Sequence, residues 1–121
     1  MSDNKQYVTQ VQDDGKILIS EDVIAAIVAH AVTEVEGLVG LSVKPGADIV
    51  DMIGVKNWGQ GIKVTIDEDT VSIDCNVLIA YGQSIVSVAK TAQETITNAV
   101  EPMTGVKVSA VNVNVCGIVR Q

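Results

Sequence analysis

The sequence predicts an α+β fold: a two-layer sandwich in which a mixed sheet of four to five strands carries two helices on one face, in the order β-α-β-β-β-α-β. Three observations predict it. The apolar side chains are mostly branched aliphatics, 22 Val and 13 Ile, with no Phe and only Tyr7, Trp58 and Tyr81 as aromatics. That composition suits pleated, half-buried strands. Two stretches, 16–43 and 71–116, each read as strand, helix, strand. Between the two helices, Ile62, Val64 and Ile66 alternate with polar residues, as do Val71, Ile73, Cys75, Val77 and Ile79 beyond the turn "DEDT". Alternation on both sides of a polar turn predicts an antiparallel hairpin.

At 121 residues the chain is long enough for one domain with a buried core. Residues 1–14, polar and ending in "QDDG", read as a mobile leader, and 15–121 as the domain. "KILIS" is the first expected strand. Ser20 then caps a helix, because its hydroxyl accepts from the first turn while Glu21 and Asp22 suit the positive end of the helix dipole. Val23, Ile24, Ile27, Val28, Ala31 and Val35 recur at helical spacing and make one apolar stripe. Gly37 is expected to stop this helix, since glycine adopts the left-handed conformation that follows a helix end. "LVGLSV" is the returning strand.

The second helix is expected from Ser84, with Ile85, Val88, Ala89, Ala92, Ile96, Ala99 and Val100 as its stripe. Pro102 is expected to end it and Gly105 to reverse the chain. The two helix exits, "TEVEGLVGLSV" and "NAVEPMTGVKV", thus run in nearly the same words. In the last strand, Val106 and Val108 are out of phase with Val111, Val113 and Val115. The slip predicts a β-bulge at Ser109–Ala110.

Charge and composition exclude several functions. Eight basic against fifteen acidic residues leave a net charge of −7, which phosphate backbones and anionic headgroups repel. Neither nucleic-acid binding nor direct insertion into a bilayer is expected. No apolar run reaches the roughly 18 residues of a membrane span, and "MSDNKQYVTQ" lacks the apolar centre of a signal peptide. A cytoplasmic protein is therefore expected. Cys75 falls on the apolar parity of its strand and reads as a small buried hydrophobe. Cys116 sits near the end of the last strand, and the cytosolic reading disfavours a disulfide between the two.

Catalysis finds little support. The single histidine, His30, lies at the edge of the first helical stripe with no nucleophile implied nearby, and reads as a boundary residue at the core margin. The carboxylates of "DEDT" lack the ligand spacing of a calcium loop and read as a solvated turn. "YGQSI" has one glycine and no lysine, so it reads as a capped turn rather than a phosphate cradle. No cofactor or metal is expected.

The stretch "PGADIVDMIGVKNWGQ", 45–60, carries more apolar side chains than a connection needs. It either closes an open end of the core or forms a contact surface, since Trp and Met are enriched at interfaces. The core reading is preferred, because so large an exposed patch is unusual in a monomer. If the loop is exposed, Ile49, Val50, Met52, Ile53, Val55 and Trp58 are the candidate protein-contact residues. The polar sheet face with Ser72, Asp74, Asn76, Asn112 and Asn114 is the other surface.

"GKILISEDVIAAIVAHAVTEVEGLVGL", "GIKVTI", "VSIDCNVLIAYGQSI" and "VAKTAQETITNAVEPMTGVKVSAVNVNVCGIV" together resemble the alkaline shock protein family of Gram-positive envelope stress response proteins, over residues 15–119. The closing segment, with Gln93, Val100, Met103-Thr104-Gly105 and "VNVNV", is the most specific part. The resemblance implies a non-enzymatic protein without a catalytic motif, so no catalytic residue is carried over. It implies a scaffold of cell-envelope homeostasis that self-associates as a homo-oligomer and is held at the membrane by a small transmembrane anchor protein. Other branches of the family imply an alternative, a regulatory module linked to fatty-acid synthesis and acetyl-CoA carboxylase. Self-association is expected through strand edges or the 45–60 loop, because a small open sheet has edges to protect.

Overall fold

The structure is a computed structural model that describes residues 7–42 and 61–120. It has the expected α+β architecture, with two helices among the described residues. The elements are β1 (Tyr7–Gln12), β2 (Gly15–Ser20), α1 (Glu21–Val32), β3 (Leu38–Leu41), β4 (Ile62–Asp67), β5 (Thr70–Ala80), α2 (Ile85–Thr104) and β6 (Lys107–Val119).

β5 is the spine of a four-stranded mixed sheet. β6 runs parallel along one whole edge, from Thr70↔Lys107 to Ala80↔Val119. β4 and β3 share the other edge, both antiparallel: β4 covers Thr70 to Cys75, and β3 covers Val77 to Ile79. They meet at Asn76, whose N–H donates to the Gly61 carbonyl at 2.8 Å and whose carbonyl accepts from Ser42 N–H at 2.9 Å. Gly61 is required here. Its φ is +81°, and a Cβ would stand 2.4 Å from the Ser42 carbonyl oxygen.

The alternation read from sequence faces β5 as expected. Val71, Ile73, Cys75, Val77 and Ile79 are fully enclosed and meet Ile24, Val28 and Ala31 of α1 and Val88, Ala92, Ile96 and Val100 of α2 in one core. Each such branched side chain contributes about 1.5–3 kcal/mol on burial. Ser20 caps α1 through Val23 N–H, and Ser84 caps α2 through Ser87 N–H, both at 3.4 Å.

Four details differ from the sequence reading. The expected leader, residues 1–14, becomes a strand from Tyr7 onwards. β1 pairs with β2 as a separate antiparallel ribbon, because Val8 is fully buried opposite Ile19 and Gln10 Nε2 reaches the Thr104 carbonyl at 3.4 Å. The order among the described residues is accordingly β-β-α-β-β-β-α-β, and β2 lies outside the main sheet. α1 ends at Val32, capped at Thr33 by its hydroxyl donating to the His30 carbonyl at 2.6 Å; Gly37, at φ +93°, closes the turn that follows. Pro102 does not stop α2. It sits in the last turn, and the helix ends on left-handed Gly105, whose N–H donates to the Glu101 carbonyl at 2.8 Å.

The bulge lies where parity placed it, between Val108 and Ala110. A second register shift follows between Val115 and Gly117, at Cys116.

Candidate functional site

His30 is exposed, beyond the core margin where the stripe placed it. Its Nε2 lies 3.7 Å from the Glu34 carboxylate, with both side chains well solvated. Such a pair stabilises little, and no nucleophile among the described residues stands beside it. "DEDT" is a two-residue turn with Glu68 at φ +58°, tied by the Thr70 hydroxyl donating to the Asp67 carbonyl at 3.0 Å. Among the described residues, no group of three or more His, Cys, Asp and Glu is placed to hold a metal ion. The turn borders an open cleft with Tyr7, Thr9 and Ile66. In "YGQSI", Tyr81 is exposed and stacks under the Arg120 guanidinium, 5.2 Å from the ring centroid.

Both cysteines are free. Cys75 is fully enclosed, and burial, then the Asp74 carboxylate, push its thiol up to about 11. A thiol held neutral in this way is a poor nucleophile. Cys116 is half-buried on its bulge and donates to the Asn114 carbonyl at 3.6 Å. The contact residues expected at Ile49, Val50, Met52, Ile53, Val55 and Trp58 lie outside the described residues.

The polar sheet face is a ladder of side-chain amides. Asn112 Nδ2 donates to Asp74 Oδ1 at 2.9 Å, and Asn114 Nδ2 to Asn76 Oδ1 at 3.1 Å. These bonds bind β6 to β5 in register, and leave Asn76 Nδ2 enclosed without a partner among the described residues.

Two features escaped the sequence reading. The first is the β1–β2 ribbon, which exposes Val11 (76%), Leu18 (58%) and Ile17 (52%). The second is the outer edge of β6. Odd residues of β5 turn their peptide groups towards β6, so their register partners Val108, Val111, Val113, Val115 and Ile118 turn theirs away from the sheet. α2 seals the first part of this edge. Glu101 Oε2 accepts from Val108 N–H, and Gln93 Nε2 donates to the Val111 carbonyl, both at 2.9 Å. The sequence signal for them is weak: two polar residues eight apart on the flank of an amphipathic helix.

The fold and its surfaces together define a small α+β domain in which several polar side chains, Gln93 and Glu101 among them, bond its own backbone and apolar side chains are exposed on the β1–β2 ribbon. Residues 9–120 match the model of the alkaline shock protein 23 family, described by a cell envelope-related function. The chain belongs to that family. It is 31% identical to the uncharacterized protein YqhY of Bacillus subtilis (strain 168), over 98% of this chain and 89% of that one. It is 36% identical to the uncharacterized protein Spy1535 of Streptococcus pyogenes serotype M6, over 88% and 81% of the two chains. Two solved variants of MamM CTD share the fold at 10% identity and a TM-score of 0.50, over 84% of this chain and 95% and 98% of theirs. No helix among the described residues is long and apolar enough to cross a membrane.

Proposed function

We propose that this protein is a non-catalytic scaffold of the envelope stress response, working in the cytoplasm through contacts with copies of itself and with a small membrane-anchored protein. The observation that carries the reading is the exposed apolar ribbon of Val11, Ile17 and Leu18. Exposed apolar side chains gathered on one element mark a contact surface, whereas the titratable groups of the described residues form no acid–base constellation. The membrane contact runs through protein because a chain of net charge −7 is repelled by an anionic leaflet.

The test is affinity capture of the tagged full-length chain from detergent-solubilised host cells, alongside flotation with protein-free anionic vesicles at low salt. Capture of a small transmembrane protein and untagged copies of the chain, with no flotation, supports the scaffold. Acetyl-CoA carboxylase subunits in place of the membrane protein would move the function to regulation of lipid synthesis. Flotation with bare vesicles would overturn the protein-anchored reading.

A further inference from the structure

Among the described residues, the outer edge of β6 is uncovered where α2 stops sealing it. Beyond the Gln93 bond to Val111, the outward N–H and C=O groups of Val113 and Val115 make no hydrogen bond with the described residues. From Val108 to Val119 the strand has no charged residue and no proline; its charges stand outside that run, at Lys107 and Arg120. Natural edges normally carry such guards against pairing. The side chains of Val113 and Val115 are only half-buried beside the helix layer, and Ile118 is 44% exposed.

We infer that this edge is a homodimer interface, in which β6 pairs antiparallel with β6 of a second copy about a two-fold axis through Asn114. The inference rests on the self-association proposed above and gives it a location. The register follows from which groups are free. Antiparallel strands bond through residues that turn their peptide groups towards each other, and facing residues alternate with non-bonded pairs. With Asn114 on the axis, Val113 faces the partner's Val115 and Val115 faces the partner's Val113. All four residues then use outward groups that make no bond with the described residues, and the Gln93–Val111 bond is left intact. Moving the axis to Val113 would bring the partner's Val115 against Val111, where the Gln93 side chain already sits. Moving it to Val115 would set Val113 against the partner's Gly117, whose peptide groups bond to β5.

Two further observations fit a second copy as the occupant. A contact between two chains of net charge −7 is repulsive except where the surface is neutral, and the open half of β6 is a neutral stretch. Val86 is 64% exposed at the start of α2. It lies seven residues, about 10 Å, before Gln93 along the helix, equal to about three strand residues. That places it level with Asn114, at the axis, where it meets the partner's Val86 and extends the apolar layer over the joined sheets.

Sedimentation velocity of the full chain, with site-directed cross-linking, tests the interface. The wild type should assemble in units of two chains. Asn114→Cys in a Cys116→Ser background should give a covalent dimer on mild oxidation, because non-bonded antiparallel partners lie about 4.5 Å apart at Cα, within the disulfide range. Ser109→Cys in the same background should not. Val115→Pro removes one outward N–H that has no partner among the described residues, and should halve the mass with the circular dichroism unchanged. Val86→Lys, an exposed helical position, should do the same and stands in if the proline variant misfolds. A wild type that is monomeric throughout would overturn both this interface and the self-association proposed above. Assemblies that survive Val86→Lys, with no Asn114→Cys cross-link, would overturn the β6 interface alone and leave the scaffold reading in place.

Discussion

Asn114 and Asn76 face each other across the parallel pair of β6 and β5, and Asn114 Nδ2 donates to Asn76 Oδ1 at 3.1 Å. The bond satisfies only half of the buried amide. Asn76 is 2% exposed, and its Nδ2 has no partner among the described residues. Its backbone is the point where β3 and β4 meet.

Enclosing an unbonded amide donor costs about 1–3 kcal/mol, while the bond between the two asparagines returns about 1 kcal/mol. Asn76→Val removes the unbonded donor and leaves Asn114, which is exposed, to solvent. A β-branched residue also suits a central strand. The variant should be as stable as the wild type or more stable by about 1 kcal/mol, read as the urea midpoint at constant slope. A loss of more than about 1 kcal/mol would mean that the Asn76–Asn114 bond outweighs the enclosed donor.

The core was legible because the alternation of β4 and β5 and the stripes of α1 and α2 are local periodicities that burial then enforces. The bulge at Ser109 was legible for the same reason: a parity slip cannot be hidden in a strand with one apolar face. The ribbon of β1 and β2 was not. Its only enclosed β1 side chain is Val8, and the partners that enclose it come from distant parts of the chain, as the Gln10–Thr104 bond shows. The sealing of the β6 edge by Gln93 and Glu101 was also invisible, because hydrogen bonds from side chain to distant backbone leave no period in a sequence.

The twin exits "VEGLV" and "VEPMTGV" look alike but differ physically. Gly105 ends α2 directly at φ +72°, and a Cβ there would meet the Gln10 side-chain amide at ordinary contact distance, 3.7 Å from Nε2 and 3.9 Å from Cδ. Gly37, at φ +93°, follows a turn past the end of α1, and a Cβ there would stand 2.9 Å from Val88 Cγ2 and 3.1 Å from Gln83 Oε1. Gly105→Ala should therefore cost the left-handed strain alone, about 1–2 kcal/mol. Gly37→Ala should cost about 1–3 kcal/mol more, because Val88 belongs to the core and must shift. Urea unfolding of both variants checks the order. Equal losses would mean that the α2 face yields freely at Val88.

The Cys75 thiol makes stability depend on alkaline pH. Burial first, and the Asp74 carboxylate second, raise it from its ordinary 9.0 to about 11 in the native state. Between these values the native chain keeps a proton that the unfolded chain releases, so stability falls as pH rises from about 9 through about 11. The full loss is about 2–3 kcal/mol. Below pH 9 both states hold the proton and this contribution to stability is complete. Other groups titrate in the same range, so the measurement is a difference: urea stability from pH 8 to pH 11 for Cys116→Ser against Cys75→Ala/Cys116→Ser. The alanine variant should start lower, by the cost of its cavity, and fall less steeply above pH 9. Iodoacetamide at pH 8 should label Cys116 in the native wild type and reach Cys75 only in denaturant. Parallel pH profiles, or native labelling of Cys75, would show that the thiol is not held neutral by the core.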